Sequence, residues 1–201
     1  MSIQFQKVEK LKIIAQALCR SNRIKHILGV EKLIVKLADV YNLDKTSCRM
    51  MALGHDLFRD IDGRILLNMA NSFNYTFNKL EAEKPVLLHG KLAALYLKRV
   101  FNVNDEIFKA VFWHVSGHPD LSNSAKALLI ADMAEENRTF PEASLIRKNA
   151  FDNLEKTYAA VIRLKMSWAL KSNQFILPET VNTWNRLLLG GVLIGNYKNS
   201  Q

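Results

Sequence analysis

The chain has 201 residues, 49% of them hydrophobic, with four prolines and eight glycines. This apolar content excludes a disordered chain, the length suits one domain, and the scarcity of breakers favours long helices over many short strands. The net charge of +9 would suit nucleic acid, acidic lipid or phosphorylated small molecules, yet the basic residues are scattered and form no RNA-reading motif or aromatic-basic ladder, so nucleic acid is disfavoured.

The opening MSIQFQKVEKLK has no apolar core segment or cleavage site, so no signal peptide is expected. Val8, Leu11, Ile14, Ala15 and Leu18 follow helical spacing and predict an N-terminal helix over about 1–20. After a break at Ser21-Asn22, a second helix carries Ile27, Val30, Leu33, Ile34, Leu37, Ala38 and Tyr41. Asp44 is suited to cap a third, expected to run to about Phe58. Asp62-Gly63 ends that stretch, a short helix around Ile65, Leu66 and Met69 follows, and residues 71–78 read as a polar, aromatic loop. Pro85 opens a helix through Ala93, Ala94 and Leu97. Further helices are predicted over roughly 104–115 and 122–136, then a long one from Thr139-Phe140-Pro141 to about Lys171, and a last one from Pro178. Residues 187–195 are too short an apolar run to cross a bilayer and read as a final turn on the core followed by a glycine-rich tail. No strand, repeat or linker is visible, so the expectation is an all-α bundle, one domain over residues 1–201. Cys19 and Cys48 make neither a disulfide framework nor a metal spacing, which places the chain in a reducing cytoplasm.

Five histidines are present: His26, His55, His89, His114 and His118. Any one of them, read alone, is more simply a packing residue, and the dipeptide His55-Asp56 is weak by itself. Their contexts say more. His26, His55-Asp56, His89, His114 and Asp132 all occupy apolar stretches, on five helices. A buried charge pairs or binds a metal, and a shared cation explains all six residues together. Imidazole and carboxylate suit zinc, iron, manganese or nickel. Six ligands exceed the needs of one open site and suit two ions with a bridging carboxylate.

The order His…His-Asp…His…His…Asp resembles the HD superfamily in its dinuclear form. Arg23-x-x-His26-x-x-Gly29, GHDLFRD (54–60), LLHG (87–90), WHVSGHP (113–119) and ADMAEENRTFP (131–141) are similar to the YqeK family within it, over about residues 20–190. That resemblance implies an HD-domain helical bundle with a dinuclear metal site in its core, hydrolysing diadenosine tetraphosphate symmetrically to two ADP. It implies iron, with manganese, cobalt or zinc as substitutes, and a bridging water or hydroxide as nucleophile. His26, His55, Asp56 and Asp132 would hold one ion, and Asp56 would bridge to a second held by His89 and His114. Arg59, where the family commonly has lysine, and Arg138 would neutralise phosphate charge. Pro119 turns His118 out of helical geometry, leaving it either on a loop beside the metals, near substrate, or simply exposed. Glu135 and Glu136 are read as supporting carboxylates or solvated ones. Phe58, Phe112, Trp113 and Phe140 are read as core or as base-stacking rings. Two rival readings stay open: another HD phosphohydrolase (a nucleotidase, a guanosine polyphosphate hydrolase or a cyclic dinucleotide phosphodiesterase), and a non-enzymatic basic helical protein that binds RNA or protein. A homodimer is left open, and a membrane role is not expected.

Overall fold

A computed structural model describes residues 3–192, and the helical spacing of their apolar side chains becomes the helices α1 Ile3–Leu18, α2 Ser21–Tyr41, α3 Lys45–Gly54, α4 Gly63–Ser72, α5 Lys79–Glu83, α6 His89–Phe101, α7 Asp105–Trp113, α8 Asn123–Ala134, α9 Ala143–Asn149, α10 Leu154–Lys171 and α11 Pro178–Leu189. There is no strand among the described residues, and no helix there is long and apolar enough to cross a membrane. α8 organises the rest. It is buried on nearly every side, from Ser124 to Ala134, as an apolar helix with no polar face must be. α2, α3, α7, α9 and α10 all pack on it. α1 lays Val8, Leu11 and Ala15 over α3, and α6 pairs with α7.

Several boundaries differ from the expectation, each for a local reason. α3 stops at Gly54 and not near Phe58. From there the chain tightens, with Leu57 N–H on the Gly54 carbonyl and Arg59 N–H on Asp56, bonds of the i to i+3 kind that close a helix end. His55 and Asp56 therefore project from a turn. The loop over 71–78 is shorter than expected, since α4 extends to Ser72, and a short helix follows it. Asn78 caps α5 in a reciprocal box with Glu81. Pro85 opens a 3-10 turn, Pro85–Leu88, before α6 begins at His89. The long late helix is two helices. Asn153 adopts an extended backbone and caps α10 through the Lys156 N–H, so its side chain competes with continued helix. At the C-terminal end Leu187 is buried but Leu188 and Leu189 are 47% and 86% exposed, so the last turn meets the core on one side only. Residues 193–201, which include most of the expected tail, lie outside the described residues.

Candidate metal centre

The fold gathers six of the nine residues singled out from the sequence into one buried cluster. His26 projects from the first turns of α2, His55 and Asp56 from the turn after α3, His89 from the start of α6, His114 from the end of α7 and Asp132 from the last turn of α8. All six are 9% exposed or less.

Three of the four histidine rings are aimed by the same device. His55 Nδ1 lies 2.7 Å from the Ala52 carbonyl, His89 Nδ1 2.6 Å from that of Val86, and His114 Nδ1 2.8 Å from that of Val111. Each acceptor is the carbonyl three residues earlier. A carbonyl only accepts, so Nδ1 carries the proton and Nε2 presents a lone pair. His26 is held from another element, with Nδ1 3.2 Å from the carboxylate of Glu135. A ring fixed through one nitrogen with the other turned inward is the habit of metal-ligating histidine.

Asp56 divides its two oxygens between two sets of rings. Oδ1 lies 3.1 Å from His89 Nε2 and 3.7 Å from His114 Nε2. Oδ2 lies 3.7 Å from both His26 Nε2 and His55 Nε2. Asp132 Oδ1 joins the second set, 3.1 Å from His26 and 3.8 Å from His55. Two groups that could hold an ion result, His26-His55-Asp56 and Asp56-His89-His114, sharing one carboxylate.

The donor chemistry fits cations. His55 Nε2 is buried with no hydrogen-bond partner. His89 Nε2 and His114 Nε2 face each other at 3.1 Å, and with both Nδ1 atoms protonated this places lone pair against lone pair. A positive ion beside them relieves both costs. Burial pushes the His55 imidazole down to about 4 and His89 below its ordinary value, which keeps both rings in the neutral, ligating form. Burial also opposes ionisation of Asp56 and Asp132, but the surrounding histidines outweigh it and hold both carboxyls well below the usual range. For His26 burial is outweighed too, as the hydrogen bond and charge of Asp132 raise it.

The remaining three residues are placed differently. Arg138 reaches the cluster: its Nε donates to the Asp132 carbonyl and its Nη2 to Asp132 Oδ1, both at 2.8 Å. Arg59 is half-buried and makes no side-chain hydrogen bond or ion pair among the described residues. His118 stays out of the cluster. Gly117, at φ 77°, reverses the chain, and His118 stacks on Trp113 at 4.9 Å while accepting from the Asp120 N–H. Of the two adjacent glutamates, Glu135 is 1% exposed and supports His26, whereas Glu136 is exposed and pairs with Lys32. Phe58 is core, and Phe140 packs edge-on against Trp168.

Three further residues matter that sequence reasoning did not assign. Arg23 donates to Asp56 Oδ2 at 2.5 Å and reaches Asp60 at 3.4 Å. Its spacing of three from His26 was the available signal, since it puts both on one helix face. Lys165 on α10 bonds the carbonyls of His114 and Val115 at 3.3 and 3.2 Å, and nothing local in its helix marks it. Gly90 lets the His114 ring approach. A Cβ there would lie 2.5 Å from His114 Cε1. Beside the cluster lies a cavity of about 600 Å³, floored by His26, Glu135 and Arg138 and walled by Arg20, Ser21, Asn22, Arg23, Lys25, Asp60 and Asn137.

Comparison with known proteins agrees with this geometry. The HD domain pattern matches residues 23–158, well over half of the chain and inclusive of all six clustered residues. A protein of Halalkalibacterium halodurans named symmetrical bis(5'-nucleosyl)-tetraphosphatase is 28% identical over 84% of this chain and 90% of its own length. Proteins of the same name from Bacillus subtilis and Staphylococcus aureus are 28% and 24% identical, covering 90% and 89% of this chain and 97% and 93% of their own. The crystal structure of an HD superfamily hydrolase from Clostridium acetobutylicum, described as involved in NAD metabolism, superposes with a TM-score of 0.85 at 25% identity, over 90% of this chain and 97% of that one. With its ordered histidines and aspartates converging as they do, the chain belongs to the HD-domain family.

Proposed function

We propose that this chain is a metal-dependent phosphohydrolase that cleaves diadenosine tetraphosphate symmetrically into two ADP. The observation that carries it is the division of Asp56 between two sets of histidine Nε2 atoms, the arrangement that suits a pair of ions a few ångströms apart. The substrate follows from the three relatives named for that reaction. His26, His55, Asp56 and Asp132 would hold one ion, and Asp56, His89 and His114 the other. Mixed imidazole and carboxylate donors suit iron, with manganese, cobalt or zinc as substitutes. Such a pair, when bound, supplies an activated water at neutral pH and neutralises charge on the phosphoryl oxygens.

The chain's own residues do the rest. Glu135 and the carbonyls of Ala52, Val86 and Val111 fix the four rings, so no reorganisation is needed as the reaction proceeds. Arg138, pinned by Asp132 at the cavity, is aimed where phosphate oxygens would gather negative charge; the family resemblance would make Arg59 a second such cation, although it does not line that cavity. A cysteine nucleophile is not part of this reading: burial raises Cys19 to about 11 and Cys48 to about 12, so both stay thiols at neutral pH. The test is elemental analysis and product analysis on one purified sample, with Asp56→Ala beside it. About two ions per chain, and ADP as sole product from the wild type alone, is the expected result. Metal without ADP would move the reading to another phosphorylated substrate. Neither metal nor turnover after anaerobic reconstitution with iron or manganese would overturn it in favour of a basic binding protein.

A further inference from the structure

The cavity beside the cluster has more positive charge than its walls use. Arg23 is engaged by Asp56 and Asp60, and Arg138 by Asp132. Glu135 is engaged by His26 and by the backbone and side-chain N–H groups of Asn137. Arg20 and Lys25 line the same cavity, are exposed, and have no ion-pair partner among the described residues. The helix that begins there is also open. Arg20 stands at the N-cap of the 21-residue α2 without a side-chain cap bond, and no acidic residue lies in the first turn. Ile24 is the first residue to bond back, to the Arg20 carbonyl, so the N–H groups of Ser21, Asn22 and Arg23 are the orphan donors of that end. All three residues line the cavity. Uncapped amides, a helix dipole and two unspent cations converge at one rim, with His26 and Arg138 on the floor.

We propose that this rim binds the phosphates of the polyphosphate chain that lie beyond the scissile bond, and that Arg20 and Lys25 thereby set a preference for long polyphosphates over mononucleotides. The inference rests on the phosphohydrolase reading for the catalytic consequence, but the binding itself does not need turnover. An anion of several charges suits the rim better than a single phosphate does. One phosphate near the cluster is already met by Arg138, while Arg20, Lys25 and the amides of α2 are left for the next phosphates along the chain. Lost contact there should fall on ground-state binding, because the rim stands apart from the reacting centre, so KM rather than kcat should move.

The experiment has two arms on the full-length, metal-loaded protein. In the first, calorimetry measures binding of inorganic tripolyphosphate and of orthophosphate to the wild type, Arg20→Ala, Lys25→Ala and the double variant at two salt concentrations. The expected result is about a tenfold loss of tripolyphosphate affinity for each single variant, a weaker salt dependence, and little change for orthophosphate. In the second, KM and kcat for diadenosine tetraphosphate are compared, with the rise expected in KM. Equal tripolyphosphate affinity in all four proteins would overturn the inference, as would a parallel loss for orthophosphate. If the wild type binds tripolyphosphate through these residues but does not cleave diadenosine tetraphosphate, the rim stands and the assigned substrate fails. Both substitutions are of exposed side chains, and a thermal melt matching the wild type shows that folding is intact.

Discussion

Gly90→Ala tests the site with one methyl group and no change to any ligand residue. The added carbon would lie 2.5 Å from His114 Cε1, 2.7 Å from His114 Nδ1 and 3.0 Å from the Val111 carbonyl oxygen. That carbonyl is the acceptor that fixes the ring, so the methyl cannot be accommodated without turning His114 or moving α6 from α7. Two energies oppose. Alanine gains about 1 kcal/mol of helix propensity over glycine, and forced overpacking costs about 1–3 kcal/mol. Net destabilisation should be no more than about 2 kcal/mol, or at most about 8 °C in Tm for a chain of this size. The metal effect should be larger, since misaligning a ligand's supporting bond typically costs about 10–100-fold in affinity. Only the ion shared by Asp56, His89 and His114 should be affected, so a folded variant should hold about one ion where the wild type holds about two. Elemental analysis and metal titration, with His114→Ala as the reference, measure it. Two ions at unchanged affinity in folded Gly90→Ala would refute the placement of His114 in the site.

Glu135→Gln keeps the shape beside His26 but removes the charge behind its Nδ1; metal titration should show about a 10–100-fold loss at the His26-His55-Asp132 position with the fold intact, and an unchanged affinity would make Glu135 a packing residue. Lys91 and Glu81 form a close ion pair, 13% and 2% exposed at their side chains, with the ammonium over Tyr75, Phe112 and Trp113; Lys91→Met leaves the buried glutamate only the Tyr75 hydroxyl and the Asn78 N–H and should cost about 3 kcal/mol in denaturant unfolding, against less for the paired replacement Lys91→Met with Glu81→Leu, which gives up that Asn78 bond as well. Asp44 caps α3 through the Ser47 N–H, and hydrogen bonding from the Ser47 side chain, aided by the backbone N–H groups of Ser47 and Thr46, outweighs burial and holds its carboxyl below the usual value. A lowered folded value means the contribution is full above the unfolded carboxyl value and is lost as pH falls through the folded one, so Asp44→Ala should cost about 1 kcal/mol at neutral pH and progressively less in acid, which urea unfolding at several pH values would show.

What the sequence made legible was whatever its chemistry forces. Charged and imidazole groups inside apolar helical runs have few fates, so Asp132 in KALLIADMAEE and His114 in AVFWHVSGH announced a shared cation before any geometry was known. Asp44 and Pro178 were legible as helix starts for the same reason, because a cap or a fixed φ acts locally. Residues whose role depends on distant partners were not legible. Lys165 is one more lysine on a long helix until α10 lies against the end of α7. Glu135 and Glu136 are indistinguishable in a string, and one residue along an extended backbone past the end of α8 separates a carboxylate buried under Gly29 from one in solvent. The split at Asn153 was hidden because the apolar spacing continues across it, and only the competition of its side chain for the Lys156 N–H ends one helix and starts another.

The same distinction explains why the site is built from helix ends. His55, Asp56, His89 and His114 all stand where a helix begins or stops and the chain turns tightly. At such ends carbonyls three residues back are within reach of a following ring's Nδ1, as Ala52, Val86 and Val111 are. The backbone therefore sets both tautomer and direction for three ligands without recruiting any other side chain. Of the four histidines His26 alone lies inside a helix, where its own backbone is already bonded, and it alone needs a carboxylate from another element to hold its ring. A fold that aims its ligands by helix termini can vary its surface and most of its core while keeping the centre. What it cannot change freely is the length of each helix up to its terminal turn: one residue more before His55 or His114 would rotate the ring by about 100° about the helix axis, out of the cluster.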